Sequence, residues 1–368
     1  MSFDLAVIGS GPAASSVVIR CARAGLRTAM FTGPARRRRF TMPETLPAAA
    51  RPQFEALDIW ERFQQMGFRH HYAMSSAWGS DSITARHSIC SPAGPGWFVN
   101  RAVFDAEVSR HAASKAAAVI PARMVSASSS RDRWILHSDA PESAPPAPVE
   151  AKLVVDATGR SSSFARRIGV RRFAFDRQVC IGAQAAPRGV PVGEAFVESE
   201  PAGWWFSALT ESGALAIAWF TDDSLLQRGD RSIAGLERRL RAAPHTAARV
   251  ERVLPDTLQS AAARTDRLEV CAGDGWFAAG DAALACDPLA SQGVLGALES
   301  AELISEMVLN YPTNELKYIA EYNDFQKRRL ERFLRDRQYF YDMEKRWPEA
   351  PFWRHRASYF TKRQRVAV

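Results

Sequence analysis

Short apolar runs that close on a turn residue recur along the chain. They are "FDLAVIG" (3–9), "LRTAMFTG" (26–33), "KLVVDATG" (152–159) and "DGWFAAGD" (274–281). Runs of this kind, apolar on both faces and bounded by glycine, predict buried strands of a parallel sheet. After the first run the period changes. Val17, Val18 and Cys21 fall on one helical face, and Gly25 supplies the stop. "LAIAWFTDDSLL" (215–226) alternates and predicts a half-buried strand. "DAPESAPPAPVEA" separates the strand-like "RWILHS" and "KLVVDATG", and reads as a flexible hairpin connection. From Tyr311 to Trp347-Pro348 the pattern is helical and strongly charged. No internal repeat is visible. "GDAALACDPLASQGVLGALES" (280–300) begins as a strand end and finishes as a helix, with Asp281, Asp287, Pro288, Gln292 and Gly293 between.

Composition narrows the class. The chain has 368 residues, 46% hydrophobic and 24% charged, enough for about two domains. No apolar run nears the ~20 residues of a membrane helix. The N-terminus carries Asp4 and lacks a basic n-region, so it reads as strand and turn, not as a secretory signal. Cys21, Cys90, Cys180, Cys271 and Cys286 are odd in number, widely spaced and never in a C-x-x-C. Neither a disulfide framework nor a metal site is expected, and a cytoplasmic location is. The net charge of +8 comes almost entirely from arginine. Compositional bias is one reading; attraction to an acidic partner or an anionic cofactor is the other. The scattered basic residues match no nucleic-acid module.

The first helix begins with a fingerprint. Gly9, Gly11 and Ala14 have G-x-G-x-x-A spacing, with a strand before and a helix after. Gly9 permits the tight turn, and Gly11 lets the backbone approach a pyrophosphate. Ala14 keeps helix and strand close. Pro12 and Ala13 open the helix, whose free N–H groups suit an anion. The acid that usually ends the second strand is missing. Thr32 and Gly33 stand there, so Thr32 or backbone must contact an adenosine ribose. Arg36 to Arg39 could reach the adenosine end or a phosphate, or form a solvated loop.

Together the fingerprint, Asp156-Ala-Thr-Gly159 and Gly280-Asp281 resemble the flavoprotein hydroxylase superfamily, which includes p-hydroxybenzoate hydroxylase and the tryptophan halogenases. The resemblance implies an α/β fold: a Rossmann-type FAD domain, a second, mainly antiparallel sheet domain, and C-terminal helices. The FAD domain is expected to be discontinuous, over 1–67, 96–170 and 265–309. The substrate sheet is expected over 68–95 and 171–264, and the helical segment over 310–368. The tail's aromatics could cover the active-site entrance or hold a partner; packing on the FAD domain is the simpler expectation. The resemblance also implies that Asp281 binds the ribityl chain. Pro288, Ser291, Gln292, Gly293 and Val294 would pass beside the isoalloxazine, with the next helix aimed at N1 and the C2 carbonyl. Asp287 could cap that turn. An arginine at the position of Arg101 approaches FAD in the superfamily; an i,i+4 ion pair with Asp105 is the alternative. Pro43-Glu44-Thr45-Leu46-Pro47 is similar to the halogenase G-E-[ST]-x-P segment, so Glu44 could border flavin or substrate.

Within the superfamily, "SAWGS", "GWWFSAL", "DPLASQGVLGALES" and the aromatic, arginine-rich tail look like the maturases of cysteine tryptophylquinone enzymes. Those resemble the halogenases but hydroxylate a tryptophan held in a partner protein. The halogenase W-x-W-x-I-P motif is replaced by "GWWFSAL", and 66–90 contains no lysine to capture hypohalous acid. The implied chemistry is a flavin C4a-hydroperoxide attacked by an electron-rich ring. No second G-x-G-x-x-G is present, so NAD(P)H at the surface or a separate reductase would supply electrons. Trp78, Trp204 and Trp205 could wall an aromatic pocket or be core. His70 and His71 are expected in loop or packing roles. The leading reading is hydroxylation of a tryptophan or indole-like ring on an acidic peptide or protein. A halogenase, a prenyl-lipid reductase and a flavin-bound chaperone without turnover are the competitors.

Overall fold

The computed structural model describes residues 1–33, 42–130, 132–139, 148–311 and 314–357. The apolar runs form one sheet. Ser2–Ile8 lies at its centre, parallel to Val149–Asp156 on one side and Thr28–Phe31 on the other, with Ala118–Ile120 beyond. Val149–Asp156 is shared along its length. Its first half pairs antiparallel with Arg133–Ser138, and its second half pairs parallel with Trp276–Ala278. Val149–Asp156 and Arg133–Ser138 therefore form the expected hairpin, while most of its connection, 140–147, lies outside the described residues. The helices Pro12–Arg23, Arg101–Lys115 and Gly293–Asn310 cover this sheet, with Pro12–Arg23 against both of the others. Both faces are covered, which is why these strands carry no polar alternation.

A second large sheet runs Val250–Val253, Gln178–Pro187, Leu215–Asp222, Gly203–Leu209, Glu194–Glu200, Ala73–Ala77, Thr84–His87. Its pairs are antiparallel except Glu194–Glu200 with Ala73–Ala77. A smaller antiparallel sheet, Pro43–Leu46, Gly96–Asn100 and His70–His71, adjoins both.

Two expectations need correction. Leu215–Asp222 is buried along its whole length, not on one face. Ile233–Leu240 packs on one side of the sheet through Leu236 and Leu240, and the C-terminal aromatics pack on the other. The tail also divides its packing. Early in the 28-residue helix Glu315–Asp342, Tyr322 joins the core of the first sheet and donates to the Ala278 carbonyl at 2.6 Å. Later, Tyr341 joins Phe352 and Trp353 of Pro351–Ala357 against Trp204 and Phe220 of the second sheet. Amphipathic periodicity gives the buried stripe of a long helix, but not the partner it meets at each end.

Candidate active site

Gly9 ends the first strand at φ +130°, and a Cβ there would stand 2.3 Å from the Ala157 carbonyl oxygen. The turn thus needs glycine twice over, for conformation and for space. It leads into Pro12–Arg23, with Pro12 in its first turn, Ala13 and Ala14 buried, and Gly11 at the N-cap with no side-chain cap. A Cβ on Gly11 would meet no atom within 4 Å. Thr32 is half-buried; its N–H donates to Ile120 O at 3.0 Å and its carbonyl accepts from Ser10 Oγ at 3.3 Å. Arg36 to Arg39 lie outside the described residues.

Gly280-Asp281 ends Trp276–Ala278 beside the first helix. At φ +58°, a Cβ on Gly280 would stand 3.1 Å from the Ala13 Cβ and 3.2 Å from the Ala297 Cβ. Glycine here lets two helices and a strand end converge. Arg172, not singled out in the sequence, fixes this turn. Its guanidinium donates to Ala282 O at 2.8 Å and Asp281 O at 2.9 Å, and pairs with Asp266. The Asp281 carboxylate remains half-exposed, with Arg160 Nε 3.9 Å away. Asp156 is buried and accepts from the N–H groups of Thr158, Phe164 and Ala165 and from Thr158 Oγ1, at 2.7–3.0 Å. Its motif was visible in the sequence, but its role as the clasp of this loop was not.

Asp287 is buried; Oδ1 accepts from Leu289 N–H at 3.0 Å, so it caps the turn Pro288–Ala290 as expected. Ser291 follows at φ +50°, then exposed Gln292 and Gly293 and buried Val294. Gln292 is the N-cap of Gly293–Asn310 and makes no side-chain cap. A Cβ on Gly293 would also meet nothing within 4 Å. Thr45 Oγ1 donates to Ser291 Oγ at 2.7 Å and ties the Pro43–Leu46 strand to this turn. Beside it, Arg101 opens Arg101–Lys115 and makes paired bonds to Asp105 at 2.8 and 3.0 Å. Its Nη1 also meets both Glu44 oxygens at 2.9 and 3.1 Å. Burial works against the Arg101 charge, but Glu44 and Asp105 outweigh it and hold its pKa above the ordinary value. The ion pair with Asp105 is thus present, extended by Glu44.

The three tryptophans do not form one wall. Trp204 and Trp205 are adjacent in a strand, so their rings leave opposite faces. Trp204 stacks on Phe220 at 3.9 Å and Trp205 packs near Trp219 at 6.4 Å, both buried. Trp78 is half-buried, edge-on to Trp204 and Trp353, with its N–H on Phe340 O. The reading of a common pocket of Trp78, Trp204 and Trp205 is therefore corrected to core packing. A cavity of about 390 Å³ lies elsewhere, lined by Trp60, Phe63, Phe68 and Trp97 with Arg51 and His70. His70 Nδ1 lies 3.2 Å from Gly96 O, and His71 packs edge-on to Phe98, where burial lowers its pKa.

Two uncapped helix N-termini, each preceded by a glycine or turn without side-chain obstruction, thus flank a half-exposed carboxylate at a strand end. Such an arrangement suits an extended ligand with an anionic middle and a flat polar end. The tryptophan halogenase profile matches residues 58–365, and the chain belongs to that family, among the FAD-dependent oxidoreductases. A relative from Marinomonas mediterranea, the putative FAD-dependent oxidoreductase LodB, is 26% identical over 97% of this chain and 98% of its own. Among solved structures, the myxobacterial chondrochloren halogenase CndH superposes with a TM-score of 0.86 at 19% identity, over 99% of this chain and 88% of its own. The peptidyl tryptophan dihydroxylase QhpG, essential for tryptophylquinone cofactor biogenesis, superposes at 0.78 and 19% identity, over 97% of this chain and 79% of its own. The open glycine positions and uncapped helix ends fit FAD. Among the described residues no cluster suits a metal ion, and no helix is long and apolar enough to cross a membrane.

Proposed function

We propose that this protein is an FAD-dependent monooxygenase that places oxygen on the indole ring of a tryptophan, carried by an acidic partner peptide or protein. One observation carries the choice of hydroxylation over halogenation. The chain has no lysine before Lys115 and none between Lys152 and Lys317. The strands Pro43–Leu46 and Gly96–Asn100 and the whole second sheet therefore present no ammonium to hold hypohalous acid. The likeness to LodB along nearly the whole chain supports the FAD-dependent oxidoreductase part of this reading, and the fold shared with QhpG, a peptidyl tryptophan dihydroxylase, accords with its substrate.

The domain assignment follows the sequence: 1–67, 96–170 and 265–309 for FAD, 68–95 and 171–264 for substrate, and 310–368 as the helical segment. The free N–H groups of Gly11, Ala13 and Ala14 receive the pyrophosphate, with Pro12, which has no N–H, setting the first turn and Gly9 making room. Thr32 and its backbone take the ribose contact that an acid makes elsewhere. Asp281 accepts from the ribityl hydroxyls, held outward by Arg172. Pro288, Ser291, Gln292, Gly293 and Val294 border the ring. The N-terminus of Gly293–Asn310 carries about half a positive charge and steadies the negative charge of the reduced ring. Arg101 stands beside that ring, oriented by Glu44 and Asp105. When bound and reduced, by NAD(P)H or a separate reductase, FAD supplies the activation of O₂. The net charge of +8 favours an acidic partner.

The test is intact mass analysis of tryptophan-bearing polypeptides after incubation with the protein, reduced FAD and O₂. Gains of ~16 or ~32 Da, for one or two oxygen atoms, are expected. A product that forms only with chloride or bromide would establish a halogenase instead. Bound FAD with no oxygen uptake on adding partner would establish a chaperone.

A further inference from the structure

One buried carboxylate joins the ring-bordering turn to a distant part of the chain. Asp287 Oδ1 caps Leu289 N–H, and its Oδ2 accepts from the Tyr341 hydroxyl at 2.8 Å. Tyr341 comes from the last turn of Glu315–Asp342, far along the sequence. Its hydroxyl oxygen in turn accepts from Trp204 Nε1 at 3.0 Å, and Gln178 Oε1 lies 3.3 Å away. With one proton to give and the shorter contact at Asp287, the hydroxyl donates to the carboxylate. Gln178 Oε1 is meanwhile taken by Arg356 Nη2 at 2.8 Å. The main-chain N–H of Asp287 donates to Thr265 Oγ1 at 3.3 Å, which also accepts from Arg337 at 3.1 Å. The turn is thus held at both its side chain and its backbone by groups from the C-terminal helix or bound to it.

We propose that Tyr341 is a positioning residue for the turn Asp287–Ser291 and hence for the N-terminus of Gly293–Asn310. The proposal rests on the reading of that turn as the flavin border. Few other polar groups hold the turn. Pro288 and Gln292 are exposed, Ser291 is in the left-handed region, and the helix start has no side-chain cap. Leu289 and Ala290 pack on apolar clusters beneath it and Thr45 bonds Ser291, but its buried polar hold is through Asp287. Burial raises the Asp287 pKa first of all, with the Arg337 charge acting against it. The Tyr341 hydroxyl supplies a neutral donor to that desolvated group, and a buried acceptor left without one must move to find another.

Tyr341→Phe keeps the ring against Trp78, Phe352 and Trp353 but removes the donor to Asp287. FAD titration and the visible spectrum of the bound flavin are read beside the melting temperature of the FAD-free protein. Tyr341→Phe is expected to weaken FAD binding about tenfold or more and to shift the flavin absorption band. Asp287→Asn is expected to weaken it less. Its carbonyl can still cap Leu289, its amide can donate to the Tyr341 oxygen, and the hydroxyl proton can turn to Gln178. Asp287→Ala, which loses both bonds, is expected to match or exceed Tyr341→Phe. Trp353→Phe is the control. It removes a buried bond to Glu200 O at 2.9 Å in the same aromatic cluster, away from the turn. It should lower stability yet leave FAD affinity within about twofold.

Unchanged affinity and spectrum in Tyr341→Phe would overturn the proposal, as would equal weakening by Trp353→Phe. If Tyr341→Phe does not fold, the Asp287 pair decides: Asp287→Ala no weaker in FAD binding than Asp287→Asn would overturn it. A wild-type protein that takes up no FAD would instead remove the flavin reading of the turn.

Discussion

The turn at 280–293 and the tryptophan strand Gly203–Leu209 both looked functional in sequence, and they differ in what can reach their open polar groups. At the turn, the helix end lacks a side-chain cap, Asp281 faces solvent, and a Cβ at Gly293 would meet nothing. In the strand, Trp204 and Trp205 are buried on opposite faces; the Trp204 N–H is bonded to Tyr341, and the Trp205 N–H is unpaired but sealed from any ligand. Backbone donors left open at a helix start await a partner from outside. Aromatic rings locked between layers do not. Conspicuous residues are therefore a weaker guide to a site than an accessible, uncompensated one.

Substitutions at the two regions should separate them. The largest effect is expected from Gly293→Asp. Its side chain has room in the FAD-free protein, but it sets a carboxylate where the ring's negative edge would lie. FAD binding should be lost while the melting temperature of the FAD-free protein is kept; a yellow variant with normal flavin content would erase the contrast. Trp205→Ala should do the reverse. It empties a fully buried site beside Leu236 and Trp219, and should cost about 3–5 kcal/mol in denaturant unfolding. FAD affinity of the folded fraction should stay unchanged. Asp281→Ala should weaken FAD binding about tenfold, the loss of a charged hydrogen-bonding partner, with little change in melting.

The smallest effect concerns pH. Burial pushes the Asp230 carboxyl up, but Arg239, the Gln227 N–H and Arg238 more than reverse this, so its pKa lies below the ordinary 3.8. A depressed carboxyl stabilises the fold above its unfolded value and loses that contribution as pH falls through its folded value. Asp230→Asn should flatten part of the melting-temperature decline expected below about pH 4. FAD affinity should not respond to this substitution.

Legibility in the sequence followed the range of the interaction. Strand, turn and helix around Gly9 were readable because local backbone geometry demands those residues. Gly280-Asp281 was readable as a strand end, and its role only through the family resemblance. Arg172 was not, because it reaches the Ala282 and Asp281 carbonyls across more than a hundred positions of sequence. The cap by Asp287 was legible as a local turn, whereas its bond to Tyr341 depends on how a long helix lies. Leu215–Asp222 alternated as if one face met water. Two separate layers cover it, and a strand's own pattern carries no record of a second layer added later in the chain.

The helix Glu315–Asp342 has a mechanical consequence. At about 1.5 Å per residue it is a rod of roughly 42 Å, with Tyr322 anchored under one sheet and Tyr341 under the other. Such a tie-rod resists any swing of the two lobes about the strands between them, since opening would have to bend it or tear out an anchor. On the proposed reading, a bulky polypeptide substrate would therefore gain entry by the shifting of surface segments, while the lobes keep their spacing.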